Sequence, residues 1–205
     1  MLASRFDRLR PDHVAPDRWR AIVDELAARY REPHRRYHDL EHLTEMAGLL
    51  VREEARLVDP FAVLMATFFH DAVLAAGARD NEQRSAILAR ALLGPLLPAP
   101  TTARIAALIL ATRGHDHDAG DPDRSLLIDA DLAILAAPPA RFRAYERGIR
   151  AEYGHLADDV FAAGRRHFLA GLLARPVIFG DAALRAELEP TARANLAAAV
   201  AGAPP

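Results

Sequence analysis

The chain contains no cysteine. That excludes disulfides, a thiolate nucleophile and a zinc-thiolate site, so any metal must be held by histidine and carboxylate. A strong charge of either sign is also missing, with 26 basic against 28 acidic residues and a formal net charge of −2. Nucleic-acid polymers and membrane surfaces are therefore not expected partners, because both call for a clustered basic face. No apolar run reaches the roughly 18 residues of a membrane span, and the N-terminal MLASRFDRLRPDH has no apolar signal region, which makes the cytoplasm the expected location. No segment alternates with period two for long enough to read as a strand, and RPVIF around Val177 is too short to decide. There is no internal repeat.

What the sequence does have is helical apolar periodicity. With 205 residues, 51% of them hydrophobic, it is long enough to bury a core and is expected to form one domain over 1–205. Trp19, Ile22, Val23, Leu26 and Tyr30 recur at helical spacing behind Pro16-Asp17, and Leu43, Met46, Ala47 and Leu50 form a stripe on a helix expected to start near His38. Further helices are expected at 61–76, 80–97, 101–113, 125–135, 139–153, 157–173 and 181–200, with AAAVAGAPP as a frayed end. The fold class is all-α, a single compact helical bundle.

The stretch DPFAVLMATFFHDAVLAAG, Asp59 to Gly77, is almost unbroken apolar sequence interrupted by Thr67 and the doublet His70-Asp71. A helix hydrophobic on all sides belongs at the centre of a domain. A carboxylate taken there must be paired, neutralised or given a metal. The doublet therefore reads either as part of a metal site or as a buried His-Asp hydrogen bond that fixes the helix. His38 and His42, four residues apart, fall on one helical face and either share a metal, divide between metal and substrate, or are surface histidines at a helix start. In LLIDADLAIL, Asp131 lies on the apolar stripe and Asp129 off it, so Asp131 is the better ligand candidate and Asp129 caps the helix or holds an outer histidine.

Arg35 and Arg36 directly precede Tyr37-His38 and suit phosphate oxygens, although an exposed pair there is also consistent with solvated charge. Asp80 with Gln83 has the form of a capping box, and Asn81 stands between Asp80 and Glu82. His115 ends an apolar helix within reach of substrate or a second metal. His117 is expected in solvent, and Tyr145, Arg150, Glu152, Tyr153 and Arg165 are read as ion pairs and core packing.

The blocks RRYHDLEHL, FFHDAVLAAGARDNEQRSA, ILATRGH, LIDADLAIL and YERGIRAEY, in that order from about Tyr30 to Phe179, resemble the HD superfamily, in particular its branch of small predicted metal-dependent phosphohydrolases. The resemblance implies a helical HD bundle with motif core at about 30–179 and helix 181–200 packing on it. It implies a metal held by His42, His70, Asp71 and Asp131, with Asp71, Glu82 and His38 in catalysis. Arg35, Arg36, His38 and His115 would meet substrate, and Asp80, Asn81 and Asp129 would support the site from behind. The expected cofactor is one divalent ion, with Mn, Fe, Co, Ni, Zn and Mg unresolved and a second ion possible. The expected reaction is hydrolysis of a small phosphorylated molecule, with nucleotides among the candidates, by metal-activated water. The alternatives are an HD-type di-iron oxygenase, which needs extra histidines such as His115 and His117, and a binding module that holds metal and nucleotide without cleavage.

Overall fold

Pro60 begins a helix that packs against four others. Asp59 caps it by accepting the Ala62 N–H at 2.9 Å, and Pro60 sits where a missing N–H costs nothing. In the computed structural model, which describes residues 6–202, all of Ala62–Phe69 is buried. In chain order the helices are α1 (Pro16–Arg29), α2 (Leu40–Arg52), α3 (Pro60–Phe69), α4 (Asn81–Leu93), α5 (Ala99–Ala111), α6 (Pro122–Leu132), α7 (Pro139–Glu152), α8 (Asp158–Leu173) and α9 (Ala182–Val200). Short 3-10 turns follow α2 at Glu54–Arg56 and α6 at Ala133–Ala136. Among the described residues there is no strand, so the all-α expectation holds. No helix is long and apolar enough to cross a membrane.

α3 packs against α2, α5, α6 and α4, and α4 lies along α5. These elements share one apolar cluster with α1, in which Trp19, Phe68 and Phe69 are fully buried. Truncating either phenylalanine should cost about 3–5 kcal/mol. A second cluster joins the end of α6 to α7, α8 and α9 through Ile128, Leu135, Phe142, Ile149, Leu172 and Phe179. Leu188 touches both.

Several sequence expectations need correction. Apolar periodicity carries the central helix to Ala76, whereas the helix stops at Phe69. The reason is competition for its backbone. Arg35 binds the carbonyls of Asp71 and Ala72 at 2.8 and 3.2 Å, the Ser85 hydroxyl accepts the Val73 N–H at 3.0 Å, and the Asn81 amide takes both the N–H and the carbonyl of Ala75. Hydrogen bonds from these side chains stand in for the next helical turn. α2 begins at Leu40, because Asp39 caps it by accepting the N–H groups of Glu41 and His42. His38 therefore precedes the helix instead of sharing a helical face with His42. Asp80 occupies the N-cap position of α4 without a side-chain cap hydrogen bond, so the capping box does not form. The tail expected to fray from Ala197 is helical to Val200; residues 203–205, like 1–5 of the N-terminal lead, lie outside the described residues.

Candidate metal centre

The end of α3, the start of α2 and the end of α6 meet at one point. His42 on α2, His70 at the α3 C-cap and Asp131 on α6 each offer one donor atom, and these lie within 4.8 Å of one another. The two imidazole Nε2 atoms are 3.4 Å apart, and an Asp131 oxygen is 3.3 Å from His42 and 3.8 Å from His70. An Asp71 oxygen joins them, 2.9 Å from His70 Nε2 and 3.9 Å from His42 Nε2. His42 and His70 are buried, while the side chains of Asp71 and Asp131 keep 14% and 13% of their exposure. The carboxylates are thus the faces of the cluster that open outward.

The donor set fits a metal ion. His70 donates its Nδ1–H to the Thr67 carbonyl at 2.9 Å, which fixes the ring and turns Nε2 toward the cluster, the usual arrangement behind a ligating histidine. Among the described residues, the ion pairs of Asp71 and Asp131 are with histidines alone, so no arginine occupies the centre. Electrostatics point the same way. Burial opposes a charged His70, yet the adjacent Asp71 and then Asp131 carry it up to about 9. Burial likewise opposes ionisation of Asp71, but His70 and His38 hold its carboxyl well below the ordinary range. Asp131 is held low by hydrogen bonds from His115 and His42 against the same penalty. The spot favours positive charge, which is what a cation site requires.

Outer groups fix the inner ones. His38 donates Nδ1–H to Glu152 at 2.6 Å and stands with Nε2 3.9 Å from Asp71. The other Glu152 oxygen accepts three successive backbone N–H groups, Arg36, Tyr37 and His38, at 2.8, 2.8 and 2.9 Å. Against the cost of burial, the His38 ring first and then the Tyr37 and Arg36 N–H groups bring its carboxyl down to about 2. This approach of α7 depends on Gly148, where a Cβ would lie 2.8 Å from the Arg36 carbonyl. On the other side, His115 takes a left-handed φ of 49° and places Nε2 3.2 Å from Asp131. Arg175 clamps that turn by binding the carbonyls of His115 and Gly114 at 2.6 and 2.9 Å. A strained non-glycine residue held from outside is a common sign of a functional position.

The cluster forms part of the lining of a cleft of about 430 Å³. Its lining includes His38, Asn81, Glu82 and His115 from the expected set, together with Arg113 and an apolar surface from α7 and α8. Arg35 and Arg36 are not among the lining residues. Arg35 is buried, with its guanidinium committed to Glu32, His38, Asp71 and Ala72, and so acts as a backbone clamp instead of a phosphate contact. Arg36 is exposed on a separate hollow with Arg31 and Glu41. Asp80 is exposed, and Asn81 serves the Ala75 backbone.

Asp129 is the deeper of the two aspartates, with 0% exposure. It accepts the N–H groups of Gly180 and Asp181, both at 2.8 Å, and His117 Nε2–H at 2.7 Å. His117 is correspondingly half-buried instead of free in solvent. Asp129 departs from the apolar-stripe expectation because α6 is buried on nearly all sides from Ser125 to Ala130. Sequence reasoning leaves Glu152, Arg113 and Arg175 outside the site. The signals available in the sequence for Glu152 are its place at the end of a helix that is apolar on one face and its position inside the block YERGIRAEY. Comparison with protein families, curated sequences and solved structures finds no match.

Proposed function

We propose that the protein is a metal-dependent phosphohydrolase of the HD type acting on a small phosphorylated molecule. The observation that carries this reading is the convergence of His42, His70 and Asp131, with Asp71 beside them, at a cleft that His70, Asp71 and Asp131 line together with a free arginine. Those four residues would hold a divalent metal, which when bound acts as a Lewis acid on a phosphoryl oxygen and makes hydroxide accessible near neutral pH.

The chain's own groups account for the rest. Arg113 lines the cleft, and its guanidinium has neither an ion pair nor a hydrogen bond among the described residues, so it is available to grip phosphate. His115, aimed by its strained turn and held by Arg175, faces the same space. Asp71 orients the attacking water and accepts its proton. The bond from phosphorus to the alcohol oxygen breaks, and His38, fixed by Glu152 with Nε2 toward Asp71, returns a proton to the leaving oxygen. Glu82 lines the cleft close to the start of α4 and is a second candidate for proton transfer.

The oxygenase alternative calls for further histidines at the centre. His115 reaches Asp131, whereas His117 is committed to Asp129, which favours hydrolysis. The test is metal content and chelator-sensitive hydrolysis of phosphate esters by purified protein. Stoichiometric metal in wild type, lost in His70→Ala and Asp71→Ala together with turnover, is the expected result. Unchanged metal content in both variants sinks the proposal. Bound nucleotide that survives prolonged incubation uncleaved would favour a sensor.

A further inference from the structure

The cleft has two unlike sides. The polar groups that bear on phosphate chemistry come from the segment before α2, the end of α3, the start of α4, the turn after α5 and the end of α6. The opposite side is built by α7 and α8 and presents Ile149, Leu156, Val160, Phe161 and Phe168. Val160 and Phe168 are 55% and 41% exposed, two of the few large apolar side chains left uncovered among the described residues. α8 buries only Leu169 and Leu172 of its sixteen residues, so most of it stands off the core with this face turned to the cleft. Gly164, in the middle of that face, adds room, since a Cβ there would meet nothing within 4 Å.

Of the side chains that could read a nucleobase edge or ribose hydroxyls, Glu82 stays free among the described residues but lies with the polar groups at the start of α4, and three others are engaged elsewhere. Both amide atoms of Asn81 are on Ala75, the Thr112 hydroxyl is on the Ile109 carbonyl, and Arg165 is paired with Glu146 and stacked on Tyr145 and Phe168. The Tyr153 hydroxyl remains as a single polar contact on this side. Apolar surface facing a reactive polar floor is the complement of a molecule with an ionic head and an apolar body.

Resting on the hydrolase reading, we infer that the substrate is the phosphate monoester of an apolar alcohol, with its phosphate beside Arg113 and the metal ligands and its hydrocarbon part against α7 and α8. Hydrolysis adds water across the P–O bond and releases the alcohol and inorganic phosphate, with no further reactant.

The experiment is a series of straight-chain alkyl phosphates, ethyl to decyl, and nucleoside monophosphates, assayed on manganese-loaded full-length protein with and without chelator. In parallel, binding of the matching alkylphosphonates, which cannot be hydrolysed at phosphorus-carbon, is measured by calorimetry. kcat/KM and phosphonate affinity are expected to rise about fourfold per methylene until the apolar side is covered. Gly164→Leu, whose Cβ meets nothing within 4 Å, puts an isobutyl group on this side and should flatten both rises; thermal denaturation checks that it folds. Chelator-sensitive turnover with a flat series, or with nucleoside monophosphates preferred, overturns this inference and leaves the hydrolase reading standing. Chain-length-dependent phosphonate binding without turnover of any ester overturns the hydrolase reading while retaining the apolar side. Flat phosphonate binding overturns the inference whatever the turnover.

Discussion

The two sides of the cleft are held by different means. On the side of the histidine-aspartate cluster, the segment after α3 gives up its helical hydrogen bonds and is pinned by Arg35, Ser85 and Asn81, side chains that reach in from other parts of the chain. On the opposite side, α8 is a regular helix whose residues are mostly exposed and whose ion pairs, among the described residues, reach only the neighbouring α7, Asp158 with Arg150 and Arg165 with Glu146. Regular secondary structure is therefore not where the molecule is most tightly specified. Donor atoms for a metal and a proton relay must be fixed to a fraction of an ångström, and convergent hydrogen bonds do this better than one helix packed by its edge. An apolar surface that only needs to cover a hydrocarbon tolerates looser support.

The largest expected effect comes from breaking the pinned side at its centre. His70→Ala removes a donor, and its metal affinity and turnover should fall by more than the roughly 100-fold upper range seen for outer partners; equilibrium dialysis and steady-state kinetics measure both. Next is the clamp behind it. Arg35→Ala leaves the Asp71, Ala72 and His38 carbonyls without their guanidinium and should lose about 3 kcal/mol of stability in urea denaturation. Arg35→Lys should fail to restore it, because an ammonium cannot bridge those carbonyls as a planar fork does. Glu152→Gln keeps the shape but weakens the hold on His38. About a tenfold loss in kcat with a smaller change in KM is expected, and equal loss in a variant that merely loosens α7 would argue for a structural role alone. On the loose side the sign reverses. Gly164→Ala, at an exposed helical position with open space, should stabilise the fold by about 0.5–1 kcal/mol by reducing the freedom of the unfolded chain. A destabilising result there would mean that the Gly164 surface is packed more closely than the contrast between the sides allows.

Much of the centre is legible in the amino-acid sequence. A polar doublet inside an apolar run must find partners, and His42, His70 and Asp131 stand where a helix would carry them inward. The order of the blocks that resemble the HD superfamily points to the same residues. Local pattern misleads where it is used beyond its range. Apolar periodicity extends the central helix over Val73, Leu74 and Ala75, but it is blind to a competing guanidinium 36 residues upstream. Proximity in sequence puts Arg35 and Arg36 on the phosphate, while the free arginine of the cleft, among the described residues, is Arg113. The ranking of Asp131 over Asp129 as the inward residue presumes one buried stripe on a helix that is covered nearly all round.

The sequence by itself determined the all-helical class and the residue types able to form the centre, because helical periodicity and the cost of burying a carboxylate are properties of short stretches. Only the tertiary structure decided where the central helix ends, which arginine faces the cleft, and how Glu152 and Arg175 hold His38 and the His115 turn from 114 and 60 residues away. Those choices are made by hydrogen bonds between distant segments. Their worth depends on burial and on geometry that does not exist until the helices have packed.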